Sequence, residues 1–254
     1  FPENTIFAYE QSLDLGGDVV DIDVQMTADG VPIAFHDHTL ERTTNGTGRV
    51  AATPYDEIAQ LDAGWQFERD GVRPFRGQGL VVPTVEAVLQ QFPTTLTTLD
   101  LKDQRVAVVG PVCDVLRRLG RTVDVYVGID TNEQVLAFRE QCPEVRTSGT
   151  DDERQAMRTA RESGDTTFTT KQLVSQPRHI DDDGSLRITE ETLAFSHSHD
   201  IAVLTYLVDD PAMMETLIRP GVDGLYTRRP DVMVAVRADI EAELQPEHGD
   251  EQHD

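Results

Sequence analysis

The chain has 254 residues, 38% of them hydrophobic, which is enough for one large domain with its own core. Its formal net charge is -24, from 46 acidic residues against 22 Lys and Arg, and Lys102 and Lys171 are its only lysines. So acidic a surface argues against nucleic acid or an anionic membrane as partner, and no apolar run approaches the length of a membrane span, so stable membrane insertion is not expected.

Phe1 to Thr5 reads as a helix entry, with Asn4 or Thr5 as cap and Ile6, Phe7, Tyr9 and Leu13 as the apolar side. Gly16-Gly17 ends that helix. A strand follows from Val19, then a turn at Thr27-Ala28-Asp29-Gly30, and a second short strand from Val31 to Phe35 delivers His36-Asp37. Residues 41–82 read as an insertion covering one end of the domain, with a short helical piece from Tyr55 to Leu61. Thr84 starts a helix through Gln91. Strand and helix then alternate. Strands are predicted at Leu96–Leu101, Val123–Ile129, Val145–Thr147, Thr166–Thr169, Ile201–Val208 and Gly224–Tyr226. Helices are predicted at Val106–Leu119, Asn132–Gln141, about Asp152–Ser163, Thr189–His199, Pro211–Ile218 and Asp231–Leu244, with an imperfect capping box from Thr189 to Thr192. The main domain is thus 1–244, and the acidic tail 245–254 is expected to be disordered. Cys113 and Cys142 lack a metal-type spacing, which predicts no disulfide framework and a reducing compartment, with a cytoplasmic location.

Repeated strand–helix units indicate a parallel sheet. About seven strands are each followed by a helix, and the first element is a helix with no strand before it. A (β/α)8 barrel without its first strand gives this order, and a doubly wound open sheet is the alternative.

The chemistry concentrates between Val19 and Asp37. Asp21 and Asp23 sit two apart in an apolar strand, so both carboxylates share one face, where they repel each other and resist burial. A bound divalent cation is the usual compensation. Asp100 stands near the C-terminal end of the LTTLDL strand, and in a barrel the strand C-termini converge. Asp21, Asp23 and Asp100 would then surround one hard cation. Lys102, two positions on, would face the same space and hold a phosphate oxygen, or instead form an ion pair with Asp100 or Asp103.

The stretches PENT (Pro2 to Thr5), DID (Asp21 to Asp23) with TADG and FHD after it, LERTTNGTG (Leu40 to Gly48), LDAGW (Leu61 to Trp65), VPTVEAVL (Val82 to Leu89), LDLK (Leu99 to Lys102) and GVDGLYTRRP (Gly221 to Pro230) resemble the glycerophosphodiester phosphodiesterase family, in order and over nearly the whole chain. The resemblance implies a TIM (β/α)8 barrel of the phosphodiesterase type, with residues 41–82 as the family's insertion. It implies Mg²⁺ or Ca²⁺ on Asp21, Asp23 and Asp100, His36 as one of two acid/base histidines, Lys102 on the phosphate, and Tyr206, where the family usually has Trp, as a wall for the glycerol group. The substrate would be a small glycerophosphodiester, cleaved to sn-glycerol 3-phosphate and an alcohol. Arg42 and Glu3 match family positions and read as supports of the site.

Three departures accompany the resemblance. The family usually has Glu at the positions of Asp21 and Asp100, and Asp at that of Arg228. Its other histidine, in a His-Arg-Gly motif on the first strand, is expected before Pro2, so the first barrel strand is expected to be missing from this sequence. Two rival readings stay open: an inactive phosphodiester-binding paralogue or fragment, and a lysophospholipase D-like lipase. The acidity resembles that of proteins from high-salt cytoplasm, where ions screen self-repulsion. Oligomeric state is not legible.

Overall fold

A computed structural model describes residues 1–244. The chain divides into two compact units, Phe1–Leu173 and Val174–Asp254. The acidic tail expected at 245–254 lies outside the described residues.

In the first unit, α1 (Ile6–Asp14) starts where the Thr5 hydroxyl accepts the Ala8 N–H at 3.1 Å. β1 (Val19–Met26) and β2 (Pro32–Ala34) form an antiparallel pair across a turn in which Gly30 adopts a φ of +80°. The insertion carries a 3₁₀ turn at Val50–Ala52 and α2 (Tyr55–Ile58), and it has its own apolar cluster of Ile33, Phe35, Leu40, Val50, Ile58, Ala63 and Val82. After α3 (Val85–Gln91) come β3 (Leu96–Leu101), a 3₁₀ turn at Val106–Val108, α4 (Val109–Leu119), β4 (Val125–Ile129), α5 (Asn132–Gln141), β5 (Arg146–Thr147) and α6 (Asp151–Ser163). The sheet order is β2-β1-β3-β4-β5, parallel from β1 onward. Val20, Ile22 and Val24 point into the core with Leu99, Leu101, Val127, Val112, Leu116 and Phe138, so the alternation of β1 sends Asp21 and Asp23 to the opposite face.

Arg121 closes the N-terminal end of this sheet. Its buried guanidinium donates to the carbonyls of Phe92 (2.9 Å) and Thr95 (2.6 Å) and pairs with Asp124 at 2.6 Å. It thereby satisfies carbonyls left over at the end of α3.

The second unit holds β6 (Val174–Ser175), α7 (Glu190–His197), β7 (Ala202–Thr205), α8 (Pro211–Ile218), β8 (Gly224–Leu225) and α9 (Pro230–Leu244). Its sheet is parallel, in the order β6-β7-β8, over a core of Ile188, Leu193, Val203, Val208, Met214 and Leu217.

Three expectations are corrected. Thr166–Thr169 is not a strand: Asp165 accepts the Thr167 N–H at 2.8 Å and its hydroxyl at 2.7 Å, which commits that backbone to a turn. The strand beside β7 is Val174–Ser175 instead. The capping box at Thr189 is complete, because the Thr192 hydroxyl accepts the Thr189 N–H at 2.8 Å where a Glu or Gln would ordinarily serve. The third correction concerns the cysteines. Cys113 lies on the inward face of α4 and Cys142 caps the end of α5, and these helices pack side by side, bringing the two Cα atoms to 6.0 Å and the sulfurs into a disulfide. The partners are 29 residues apart, so their proximity follows from helix packing and not from local spacing.

Candidate active site

Parallel pairing of β1 with β3 places Asp23 opposite Asp100 and Asp21 opposite Thr98. The three carboxylates predicted from the sequence therefore belong to two adjacent strands of one sheet. The Thr98 hydroxyl donates to Asp21. Lys102, just past the end of β3, is anchored by its N–H to the Val24 carbonyl at 3.0 Å, and its Nζ lies 2.5 Å from Asp100 and 3.5 Å from Asp23. Lys102 therefore pairs with Asp100 while its ammonium also faces Asp23. Asp103 pairs with Arg105 instead.

Burial chiefly, then the charges of Asp23 and Asp100, push the Asp21 carboxyl up to about 7, against the pull of the Thr98 hydroxyl and Lys102. Asp21 is nonetheless exposed at its position on β1, so water screens much of that rise. Burial also raises Asp100, against Lys102. Lys102 is itself raised: burial works downward on it, and Asp100 and Asp23 outweigh that. One ammonium thus faces a surplus of carboxylate, and the ligand atoms that Asp21, Asp23 and Asp100 offer are all hard oxygens, the kind that suits a divalent cation of the Mg²⁺ or Ca²⁺ type.

His36 follows β2 and is exposed. The Phe35 N–H donates to the Asp23 carbonyl at 2.8 Å, which ties the segment carrying His36 to β1 at its acidic position. The imidazole Nδ1 bonds Asp37 at 2.8 Å. Arg42 donates to both oxygens of Asp37, at 2.5 and 2.9 Å, and to both oxygens of Glu3, at 2.8 and 2.5 Å. The hydrogen bond from Arg42 is the main cause that holds Asp37 below the usual carboxylate range. His38 bonds the Gln25 amide at 3.2 Å, and the same amide donates to the His36 carbonyl at 2.9 Å, so His38 shares a backbone support.

Sequence reasoning missed Asn4 and the orienting part of Asp37. Asn4 donates to the Asp23 carboxylate at 2.8 Å, accepts the Asp23 N–H at 3.2 Å, and receives the Tyr9 hydroxyl at 2.8 Å. The signal was present in the PENT and FHD stretches, where a polar residue adjoins each predicted site element. Tyr206 lies in the second unit, just past β7, with 47% of its surface exposed and its carbonyl 3.2 Å from His179 Nδ1.

Among the described residues, one group of three possible ligand side chains gathers within 4.8 Å, namely Cys113, Cys142 and Glu144. Its two sulfurs are bonded to each other and Glu144 pairs with Arg117, so it is a disulfide beside an ion pair and not a metal centre.

A profile described as "Glycerophosphoryl diester phosphodiesterase family" matches residues 1–232. The chain belongs to that family. It is an enzyme of this phosphodiesterase class, and the family is generally metal-dependent. Among its relatives, the glycerophosphodiester phosphodiesterase of Bacillus subtilis (strain 168) is 26% identical over 247 residues, spanning 93% of this chain and 82% of that one. The solved glycerophosphodiester phosphodiesterase from Agrobacterium tumefaciens str. C58 superposes with a TM-score of 0.73 at 27% identity, covering 92% of this chain and 94% of its own. A solved phosphodiesterase from Oleispira antarctica, in complex with the product sn-glycerol-3-phosphate, shares the fold, with a TM-score of 0.73, 20% identity, and coverage of 93% and 92%. The fold class is accordingly the α/β TIM barrel of these phosphodiesterases. Arg228, expected to depart from the family's pattern, forms an ion pair with Asp209. No described helix is long and apolar enough to cross a membrane.

Proposed function

We propose that this protein hydrolyses glycerophosphodiesters to sn-glycerol 3-phosphate and an alcohol, in a metal-dependent reaction with His36 in proton transfer. The observation that supports this most is the paired stretch of β1 and β3, where Asp21, Asp23, Asp100 and Lys102 stand beside the segment that carries an Asp37-bonded histidine. The product held by the Oleispira antarctica relative agrees with the substrate class.

Asp21, Asp23 and Asp100 would hold the cation, Mg²⁺ or Ca²⁺, which supplies positive charge for the phosphoryl oxygens. Lys102, already fixed by its backbone and its carboxylate partners, binds a phosphate oxygen as a point charge. Water adds to phosphorus and gives up a proton, the bond from phosphorus to the alcohol oxygen breaks, and that oxygen leaves as the alcohol on gaining a proton. His36 serves one end of this proton traffic. Asp37 holds its ring by Nδ1, which leaves Nε2 to meet the reacting oxygen.

The test is hydrolysis of glycerophosphocholine before and after removal of metal by a chelator, with Mg²⁺ or Ca²⁺ then restored, beside His36→Ala. The expected result is loss with the chelator, recovery with the ion, and a fall in kcat of about 10²–10⁴ in the variant. Undiminished turnover in chelator would refute the metal, and native kcat in His36→Ala would refute the histidine.

A further inference from the structure

Glu3 and Asn4 are neighbours in sequence, and their side chains go to different arms of the site. Asn4 adopts a left-handed backbone, φ 52°, and turns its carboxamide inward, where it grips Asp23 at both the carboxylate and the N–H. Asn tolerates this conformation better than most residues. Glu3 turns outward and takes one side of the Arg42 guanidinium, whose other side grips Asp37. Arg42 is the residue type that can fork to two carboxylates in one plane.

Asp37 is held ionised by Arg42, so its oxygens only accept. The proton in the bond to His36 therefore sits on Nδ1, and whenever the ring is neutral its lone pair is on Nε2. The pairs formed by Arg42 are half exposed, with side chains 50% accessible at Arg42 and 44% at Glu3. Exposed ion pairs add little to stability, so a geometric role accounts better for a fork that is bidentate on both sides.

We propose that Glu3 and Asn4 are positioning residues that register the proton-transfer arm of the site against its carboxylate arm: Glu3, through Arg42 and Asp37, fixes His36 as the Nδ1–H tautomer presenting Nε2, and Asn4 fixes Asp23. The kinetic part of this inference rests on the proposed hydrolysis. The tautomer and the cation affinity do not.

The test uses the full chain and three variants, Glu3→Gln, Asn4→Gly and Arg42→Lys, the glycine being chosen because it keeps the left-handed backbone. Nitrogen NMR of the His36 ring reports the tautomer, calorimetry reports Mg²⁺ affinity, and kcat and KM are measured on glycerophosphocholine. In the native protein His36 is expected as the Nδ1–H form. Glu3→Gln should move it toward the other tautomer and lower kcat about 3–10-fold with KM unchanged, leaving Mg²⁺ affinity within about twofold. Asn4→Gly should weaken Mg²⁺ binding about 10-fold and leave the His36 signals in place. Arg42→Lys should resemble Glu3→Gln, because an ammonium cannot fork to both carboxylates.

An Nε2–H tautomer in the native protein, or a silent Glu3→Gln, would overturn the proposal. So would variants that each move both readouts together, since that is what general loosening of the fold produces. If ring and cation readouts separate as expected and native protein cleaves no phosphodiester, the positioning stands and the proposed hydrolysis falls.

Discussion

Removing the covalent link between α4 and α5 should cost this protein several kcal/mol. The bond joins Cys113 to Cys142 across 29 residues, and both sulfurs are buried in the core of the first unit, at 1% and 0% exposure. Opening a loop of that size returns to the unfolded chain an entropy worth about 3.5 kcal/mol at 25 °C in the chain-entropy treatment. At 2–4 °C per kcal/mol for a chain of this size, the melting temperature should fall by about 7–14 °C. The assay is a set of thermal melts of the native protein and of Cys113→Ala/Cys142→Ala, each with and without reductant. The native protein should melt lower in reductant, and the double variant should not respond to it. The variant loses two buried sulfurs as well as the link, so the native comparison isolates the bond. A native melt that ignores reductant, with alkylation showing both thiols free beforehand, would refute the reasoning.

Arg121→Met should destabilise the fold by about 3–5 kcal/mol in urea titrations, because Asp124 and the carbonyls of Phe92 and Thr95 lose their shared partner; a loss under about 1 kcal/mol would show that water replaces it. Asp21→Asn should stabilise the metal-free protein, and more at higher pH. The folded carboxyl sits at about 7 against an ordinary 3.8, so the folded state binds the proton more tightly, and stability falls as pH rises from the lower value through the upper one. Allowing for screening at this exposed position, urea titrations in chelator should show a gain about 1 kcal/mol larger near pH 8 than near pH 5, and an equal or smaller gain at the higher pH would contradict the origin given for the shift. With 46 acidic residues against 22 Lys and Arg, raising KCl from about 0.1 M to about 2 M should raise the melting temperature by screening self-repulsion, and a flat or falling profile would show that the acidic surface carries no net strain.

The carboxylates were legible from period alone. Val20, Ile22 and Val24 mark the buried face of β1, and the intervening Asp21 and Asp23 had to share the other. Parallel pairing then brings Asp100 opposite Asp23, a step that needs the register of β1 and β3 as well as their order. Other features depend on tertiary packing. The disulfide requires knowing that α4 lies against α5, which no spacing between positions 113 and 142 reveals. β6 is two residues long, too short to carry an alternation, whereas the four residues of Thr166–Thr169 look strand-like until Asp165 takes the N–H and hydroxyl of Thr167. Asn4 was legible as a possible cap, but Thr5 caps α1, which frees Asn4 to turn inward to Asp23. The nearness of Lys102 to Asp100 was legible from their two-residue spacing, which puts both on one face of an extended chain, and the ammonium does lie 2.5 Å from that carboxylate.

The most direct measurement of the central claim is phosphorus NMR of glycerophosphocholine incubated with protein expressed from its complete reading frame, in high salt with Mg²⁺ or Ca²⁺, beside Asp23→Asn. The account predicts a growing signal of sn-glycerol 3-phosphate that is abolished in the variant. A folded, metal-loaded native protein that leaves the diester intact, or an Asp23→Asn variant that cleaves it as fast, would contradict it.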